Sequence, residues 1–248
     1  MKNILVTGAS SGLGLYLSKY ANKNGYDLVT VGKDKNKVLK LKSQLNDENK
    51  KKCHTLDLNN KKNFKSLLSC LKKEKFDVII HCMGGGFGKH NSLISQKDLN
   101  ELFNINVSLA VEINKEIIEK KCFKKNLKII HISSIAGIES TASVGYSMVK
   151  ASLIAYVKTL SKRLIKNNIY VHCILPGAFE YENNAFERLK LRDKNIYNKF
   201  IKDKLPTQKI STAKDFLGLF KLLISNEGNI LSGSAITADY SETNSFRI

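Results

Sequence analysis

Short apolar runs alternate along this chain with longer stretches in which apolar residues recur at three- and four-residue spacing. The runs at 3–7, 27–31, 52–55, 76–82, 127–132, 169–175 and 235–238 read as strands. Their near-continuous Ile, Val and Leu content is that of parallel strands covered on both faces, because a strand with one wet face would alternate apolar with polar. Helix-length segments fall between them at 12–24, 35–46, 61–73, 97–121, 145–166 and 213–225. In the segment 145–166, Leu153, Val157, Leu160 and Leu164 share one face, which predicts that this face packs inward. Strand–helix alternation of this kind predicts the α/β class: a doubly wound parallel sheet with helices on both faces, built as one domain over residues 1–248. The charged stretch 180–210 breaks the rhythm. It is too long for a simple connection and reads as a substrate loop or lid.

Composition narrows the picture. Two prolines and 42% hydrophobic residues argue against a linker-rich or disordered chain. The five cysteines, at 53, 70, 82, 122 and 173, form no Cys-x-x-Cys pair, so they read as buried thiols rather than disulfides, and no metal site is expected. No signal-peptide core precedes the first strand and no stretch approaches the ~20 apolar residues of a membrane span, so a cytoplasmic protein without a membrane partner is expected. The net charge of +19 raises the question of a nucleic-acid partner. Only four of the 41 basic residues are arginine, however, and the lysines are spread over most of the helical segments. A sequence reader would more often carry arginines or interleaved aromatics, so no specific nucleic-acid binding is expected.

The candidate chemistry begins at Thr7-Gly8-Ala9-Ser10-Ser11-Gly12-Leu13-Gly14, directly after the first run. Gly8, Gly12 and Gly14 allow a tight turn and close approach of backbone to a pyrophosphate, with the free N–H groups of a helix start facing the anion. Further on stand Asn106, Ser134, Tyr146 and Lys150. Tyr146 and Lys150 are four apart and project from one helix face. A tyrosine of ordinary pKa near 10 is a poor proton shuttle at neutral pH unless a cation such as Lys150 favours its phenolate. A lone Tyr-x-x-x-Lys is weak, since this composition yields about one by chance.

The order of these elements, from cradle through Asn, Ser and Tyr to Lys, resembles the short-chain dehydrogenase/reductase family over nearly the whole chain, which implies a Rossmann-like fold. The resemblance implies that Tyr146 is the general acid or base, that Lys150 supports it and holds the nicotinamide ribose, and that Ser134 orients the substrate oxygen. Asn106 would hold a water of the proton relay. Ser133 remains the alternative to Ser134. The cofactor side would comprise Gly8, Ser10, Ser11, Gly12, Leu13, Gly14, Lys33, Asp57, Leu58, Met83, Gly84, Tyr146, Lys150, Pro176, Gly177 and Phe179. Lys33 follows Gly32 where relatives that prefer NAD carry an acid, so NADP(H) is expected as the preferred cofactor, with NAD(H) left open. Lys33 is otherwise one more solvated lysine, and Asp57, matched to an adenine contact, is otherwise a turn or cap residue. At the family's Asn-Asn-Ala-Gly stands His81-Cys82-Met83-Gly84; only Gly84 matches, and His81 reads as structural. The threonine usual after the Pro176-Gly177 turn is replaced by Glu180-Tyr181-Glu182, and Tyr240 and Ser241 replace two glycines after Asp239.

The expected activity is interconversion of a carbonyl and an alcohol by a homodimer or homotetramer. Tyr181, Asn183, Asn184, Phe186, Arg188, Lys190 and Arg192 mix aromatic, amide and basic groups. With a resemblance to surface-glycan and sialic-acid-like sugar relatives, they point to a sugar or nucleotide-sugar substrate. The alternatives are a 3-oxoacyl thioester on acyl carrier protein and a non-catalytic cofactor-sensing protein.

Overall fold

The computed structural model describes residues 1–246. Among these, seven strands form one all-parallel sheet in the order β3-β2-β1-β4-β5-β6-β7. The strands are β1 (Asn3–Thr7), β2 (Asp27–Gly32), β3 (Cys53–Thr55), β4 (Phe76–His81), β5 (Phe123–Ile132), β6 (Ile169–Pro176) and β7 (Ala235–Ala238). Helices α1 (Gly12–Lys23), α2 (Lys35–Lys42), α3 (Asp47–Lys51), α4 (Lys61–Leu71), α5 (Gln96–Phe103), α6 (Leu109–Glu119) and α7 (Val144–Leu164) connect them, followed by α8 (Ala185–Arg192), α9 (Lys194–Lys204) and α10 (Leu217–Ile224). This is the doubly wound sheet that the apolar runs predict. Its order reverses between β1 and β4, and in such sheets the crevice at the reversal holds the ligand.

Both sheet faces are dry. Leu5, Ile79, Ile129 and Val171 point to one side, packed with α4, α6 and α7 through Leu67, Ile113 and Val157. Ile4, Val6, Ile80, Ile130 and Ile174 point to the other, against Leu13 and Leu17 of α1 and Phe220 and Leu223 of α10. The strict alternation of neighbours to opposite sides is the period-2 geometry of a strand, and both sets are apolar because both faces carry helices. On α7, Leu153 and Val157 are buried, while Leu160 and Leu164 lie half-buried against the same core.

Three segments depart from the pattern. The helix expected over 35–46 stops at Lys42, and Asn46 starts α3 by accepting a hydrogen bond from Asn49 N–H. The helix expected over 97–121 is interrupted at Asn104–Ser108 by a wider π-helical turn. Apolar spacing does not reveal it, because the buried positions Leu102, Asn106, Ala110, Ile113 and Ile117 keep three- and four-residue spacing through the turn. The stretch 180–210, expected as a loop, is mostly the helix pair α8 and α9. Asn184 caps α8 through Glu187 N–H, and Asp193 caps α9 through Ile196 N–H. Their exposed, lysine-rich faces masked the helical period.

Candidate active site

The cradle forms where β1 runs into α1. Gly8 and Gly12 have φ of 71° and 51°, in the left-handed region that costs other residues energy. At Gly14 a Cβ would stand 2.3 Å from the Gly8 carbonyl oxygen, so only glycine lets α1 fold this tightly onto β1. Ser11 at the start of α1 offers no side-chain cap, and no acid lies in the first turn. The first N–H groups of α1 therefore keep their capacity for an anionic ligand. Leu13 itself is buried in the core, so its backbone is what reaches the cradle.

Beside the cradle lies a cavity of about 520 Å³ lined by Ser10, Ser11, Lys33, Asp34, Lys35, Asn36 and Lys37. Ser10 packs so closely on Gly32 that a Cβ there would stand 2.7 Å from its Oγ, which leaves no space for an acid at that strand end. Lys33 and Asp57, read separately in the sequence, meet as an ion pair at 3.1 Å. Burial raises the Asp57 pKa, but the Asn59 backbone N–H and Lys33 outweigh it and hold the carboxyl below its usual value. Leu58 is buried, so its side chain faces the core and not the cavity. Lys35 and Lys37 are the residues that sequence reasoning missed: only the start of α2 brings them to the same wall. These groups fit a dinucleotide carrying an extra phosphate.

The residues expected to transfer protons lie near one another at the C-terminal ends of β4 and β5. The π turn carries Asn106 inward, where its Oδ1 accepts from Gly85 N–H at 3.0 Å and its Nδ2 donates to the Gly85 and Leu102 carbonyls at 3.1 and 2.9 Å. A Cβ on Gly84 would stand 2.4 Å from Asn106 Oδ1 and 3.1 Å from Lys150 Nζ, so Gly84 is the point where these two side chains meet. Met83 packs with the core beside it. Lys150 is 3% exposed and donates to the Ile132 carbonyl at 3.1 Å. Burial lowers its pKa to about 8, against an opposing pull from Cys173 and Cys82, whose own thiols burial pushes up to about 12.

Tyr146 lies next to Lys150, whose ammonium stands 5.4 Å from the ring centre. The sequence leads one to expect a phenol acidified by that cation. Instead burial raises the Tyr146 pKa, a hydrogen bond with Ser134 opposes the rise, and Lys150 is directed to the Ile132 carbonyl. Ser134 Oγ also accepts from Ala136 N–H at 3.2 Å. Ser133, the alternative serine, is buried and donates to the Lys150 carbonyl at 2.8 Å, pinning α7 to β5. Ser134 is thus the serine beside the phenol.

A buried polar chain braces the strands where the resembling family carries an asparagine pair, with His81 in the structural place expected of it. His81 Nδ1 lies 3.2 Å from Thr7 Oγ1, and its Nε2 lies 2.9 Å from Asn114 Oδ1. Asn114 Nδ2 reaches His131 Nε2 at 3.1 Å and the Tyr156 hydroxyl at 3.2 Å, while His81 and His131 stack at 4.7 Å.

The turn after β6 is held from behind. Gly177 N–H donates to the Ala238 carbonyl at 3.2 Å and Ala178 N–H to Glu242 Oε2 at 2.5 Å. The Phe179 ring is tilted against Tyr181 and meets Phe216 edge to face, and the Phe179 carbonyl accepts from Asn184. The side chains expected to read a substrate are largely engaged within 180–204 itself. Asn184 is a cap, Phe186 stacks on Phe200, Arg188 donates to the Asn183 carbonyl, and Lys190 pairs with Glu180. Among the described residues no helix is long and apolar enough to cross a membrane, and no group of three or more His, Cys, Asp or Glu could hold a metal ion.

Comparison with known proteins agrees with this geometry. The short chain dehydrogenase profile matches residues 2–191. A 3-oxoacyl-[acyl-carrier-protein] reductase of Rickettsia prowazekii is 27% identical over 240 residues, covering 95% of this chain and 94% of the relative. Nodulation protein G of a Rhizobium species is 25% identical over 238 residues, with the same coverage. Among solved structures, L-sorbose reductase of Gluconobacter frateurii, complexed with NADPH and L-sorbose, superposes with a TM-score of 0.85 at 19% identity, covering 99% of this chain and 97% of that one. A 4-hydroxyisoleucine dehydrogenase complexed with NADH gives 0.83 at 21% identity, covering 98% and 100%. With a family profile spanning three quarters of its length laid over the cradle and the residues at the ends of β4 and β5, this chain belongs to the short chain dehydrogenase family and is an oxidoreductase.

Proposed function

We propose that the protein is an NADP(H)-dependent reductase whose substrate is the keto group of a 3-oxoacyl thioester. The observation that carries the reaction class is one connected cluster beside the cradle: Asn106 and Lys150 meet at Gly84, Tyr146 lies against Gly86 and Lys150, and Ser134 is hydrogen-bonded to Tyr146. The bound dinucleotide would supply the hydride. Its phosphates would be held by the backbone of Gly12 and Leu13 and by Lys33 and Lys37, and its nicotinamide end by Lys150 and the Pro176–Phe179 turn. Tyr146 donates the proton. Its raised pKa keeps the phenol protonated at neutral pH, which is the state a carbonyl reduction requires. Ser134 directs the substrate oxygen toward that phenol. Lys150, with a pKa near 8, sits between its two protonation states under ordinary conditions and so can return a proton to Tyr146, with Asn106 fixing the backbone of Gly85 at its side. A cofactor sensor that does no chemistry would have no need of this set.

Two observations favour the thioester over a sugar or nucleotide-sugar. The curated relatives named as 3-oxoacyl-carrier-protein reductases align over 94–95% of both chains, with no large insertion separating them. Of the amide and basic groups that would recognise an anionic sugar, Asn184, Arg188 and Lys190 are engaged within 180–204, whereas Leu191 and Ile196 are left exposed beside them. The test is NADPH oxidation measured in parallel with acetoacetyl thioesters and with keto-sugars and their nucleotide conjugates. Efficient thioester turnover is expected. Turnover of sugars alone would overturn the substrate, and turnover of neither class would leave the thioester reading without support.

A further inference from the structure

The start of α1 offers the cradle backbone N–H groups without a side-chain cap, and a side chain of this chain lies on it. Three ring carbons of Tyr181 stand 3.2 Å from where a Cβ on Gly12 would be, so the ring faces this glycine with no room for a side chain between them. The ring is tilted against Phe179, with centres 5.2 Å apart. A half-buried phenol at this point covers the seat on which a pyrophosphate would rest.

The ties on either side of Tyr181 are unequal. On the near side Glu180 is anchored: its carboxylate accepts from the Tyr197 hydroxyl at 2.7 Å and from Lys190 at 3.0 Å, and its N–H donates to the Ser211 carbonyl at 2.8 Å. On the far side Glu182 reaches Lys40 of α2 at only 3.9 Å, and both side chains are more than 60% exposed. An ion pair of that kind contributes at most about 1 kcal/mol and is screened by salt. Asn183 follows with φ of 63°, a left-handed residue that lets the chain turn sharply before the Asn184 cap. The Tyr181 main chain is itself held, its carbonyl accepting from Asn184 N–H at 3.0 Å. What can move without disturbing α8 or the turn after β6 is therefore the Tyr181 side chain, turning about its own bonds beside the weakly latched Glu182.

We propose that Tyr181 is a built-in plug of the pyrophosphate seat, held closed by ring contact with Gly12 and Phe179 and by the Lys40–Glu182 latch, and expelled by the dinucleotide as it binds. This rests on the dinucleotide reading above. The plug lowers apparent cofactor affinity by the fraction of molecules in which the seat is open, and it slows association by the same gating. A tenfold excess of closed over open molecules would weaken binding about tenfold.

The test compares unmutated protein with Tyr181→Ala and Tyr181→Phe by stopped-flow NADPH binding and calorimetry, using adenosine 2′-monophosphate as a second probe because it has no pyrophosphate. Tyr181→Ala is expected to bind NADPH on the order of tenfold tighter and faster. Tyr181→Phe, which keeps the ring, should match the unmutated protein, and adenosine 2′-monophosphate should bind all three alike. Weaker NADPH binding by Tyr181→Ala would show the ring to be a cofactor contact and overturn the plug, as would unchanged binding or an equal gain for both probes. The two readings separate cleanly. Tighter NADPH binding without carbonyl turnover would support the plug and sink the reductase, whereas equal binding with full turnover would do the reverse. NADPH binding to neither the unmutated protein nor Tyr181→Ala would overturn both.

Discussion

Substituting His172 with leucine should flatten the acid side of the stability curve by one proton. His172 is wholly buried on β6, and its ring nitrogens have no well-formed hydrogen-bond partner, although the Leu231 backbone lies beside the ring. Burial lowers its pKa to about 4. The unfolded chain holds an ordinary histidine with a pKa near 6.5, so between about pH 6.5 and 4 the unfolded state binds the extra proton and stability falls as pH falls. The full shift corresponds to roughly 3 kcal/mol, reached only below pH 4. His81, also lowered to about 4, adds a second contribution of the same sign, and His131, lowered by burial, by His81 and by Lys150, adds a third. Against a total stability of roughly 5–15 kcal/mol, contributions of this sign make the fold acid-sensitive as pH falls from about 6.5 toward 4. The assay is urea unfolding followed by far-UV circular dichroism at several pH values from 7.5 to 4.5, since the chain has no tryptophan. His172→Leu should reduce the slope of stability against pH by up to about 1.4 kcal/mol per unit at the steepest point and raise stability at neutral pH by removing an unsatisfied ring. An unchanged slope would refute the reasoning.

Two further outcomes follow from the same geometry. Tyr240 and Ser241 both sit at positive φ, 52° and 65°, and the hydrogen bond from Ser241 to Asp239 uses only its backbone N–H. Ser241→Gly should therefore stabilise the fold by about 1 kcal/mol, seen as a rise of a few degrees in Tm with activity unchanged; a fall would mean that the hydroxyl carries a contact. Lys33→Ala and Lys37→Ala should each weaken NADPH by roughly tenfold and leave NADH within about twofold by calorimetry, and equal affinities of the unmutated protein for the two cofactors would contradict the assignment of that cavity.

Much of the fold is legible in the pattern because parallel strands buried on both faces leave uninterrupted apolar runs. All seven strands lie within a few residues of the runs, β1 and β7 at their expected bounds. The glycine cradle is legible because its demands are local: positive φ at Gly8 and Gly12 and close packing at Gly14. Features set by tertiary contact were not. The π turn that carries Asn106 changes one hydrogen-bond register without changing the apolar faces around it. The helices α8 and α9 bury little; of their residues only Tyr197 is fully inside, so their period does not stand out. The pairing of Lys33 with Asp57, the position of Tyr181 on Gly12 and the reach of Glu242 back to Ala178 join residues 24, 169 and 64 positions apart, and no spacing rule connects them.

The most direct test of the central claim is single-turnover reduction by Tyr146→Phe with NADPH and an acetoacetyl thioester, alongside NADPH affinity. The phenyl ring keeps the packing against Gly86 and Lys150 and lacks the transferable proton. The account predicts a loss of about 10²–10⁴-fold in the chemical step with cofactor affinity almost unchanged. A Tyr146→Phe protein that reduces its substrate at close to the unmutated rate would contradict it.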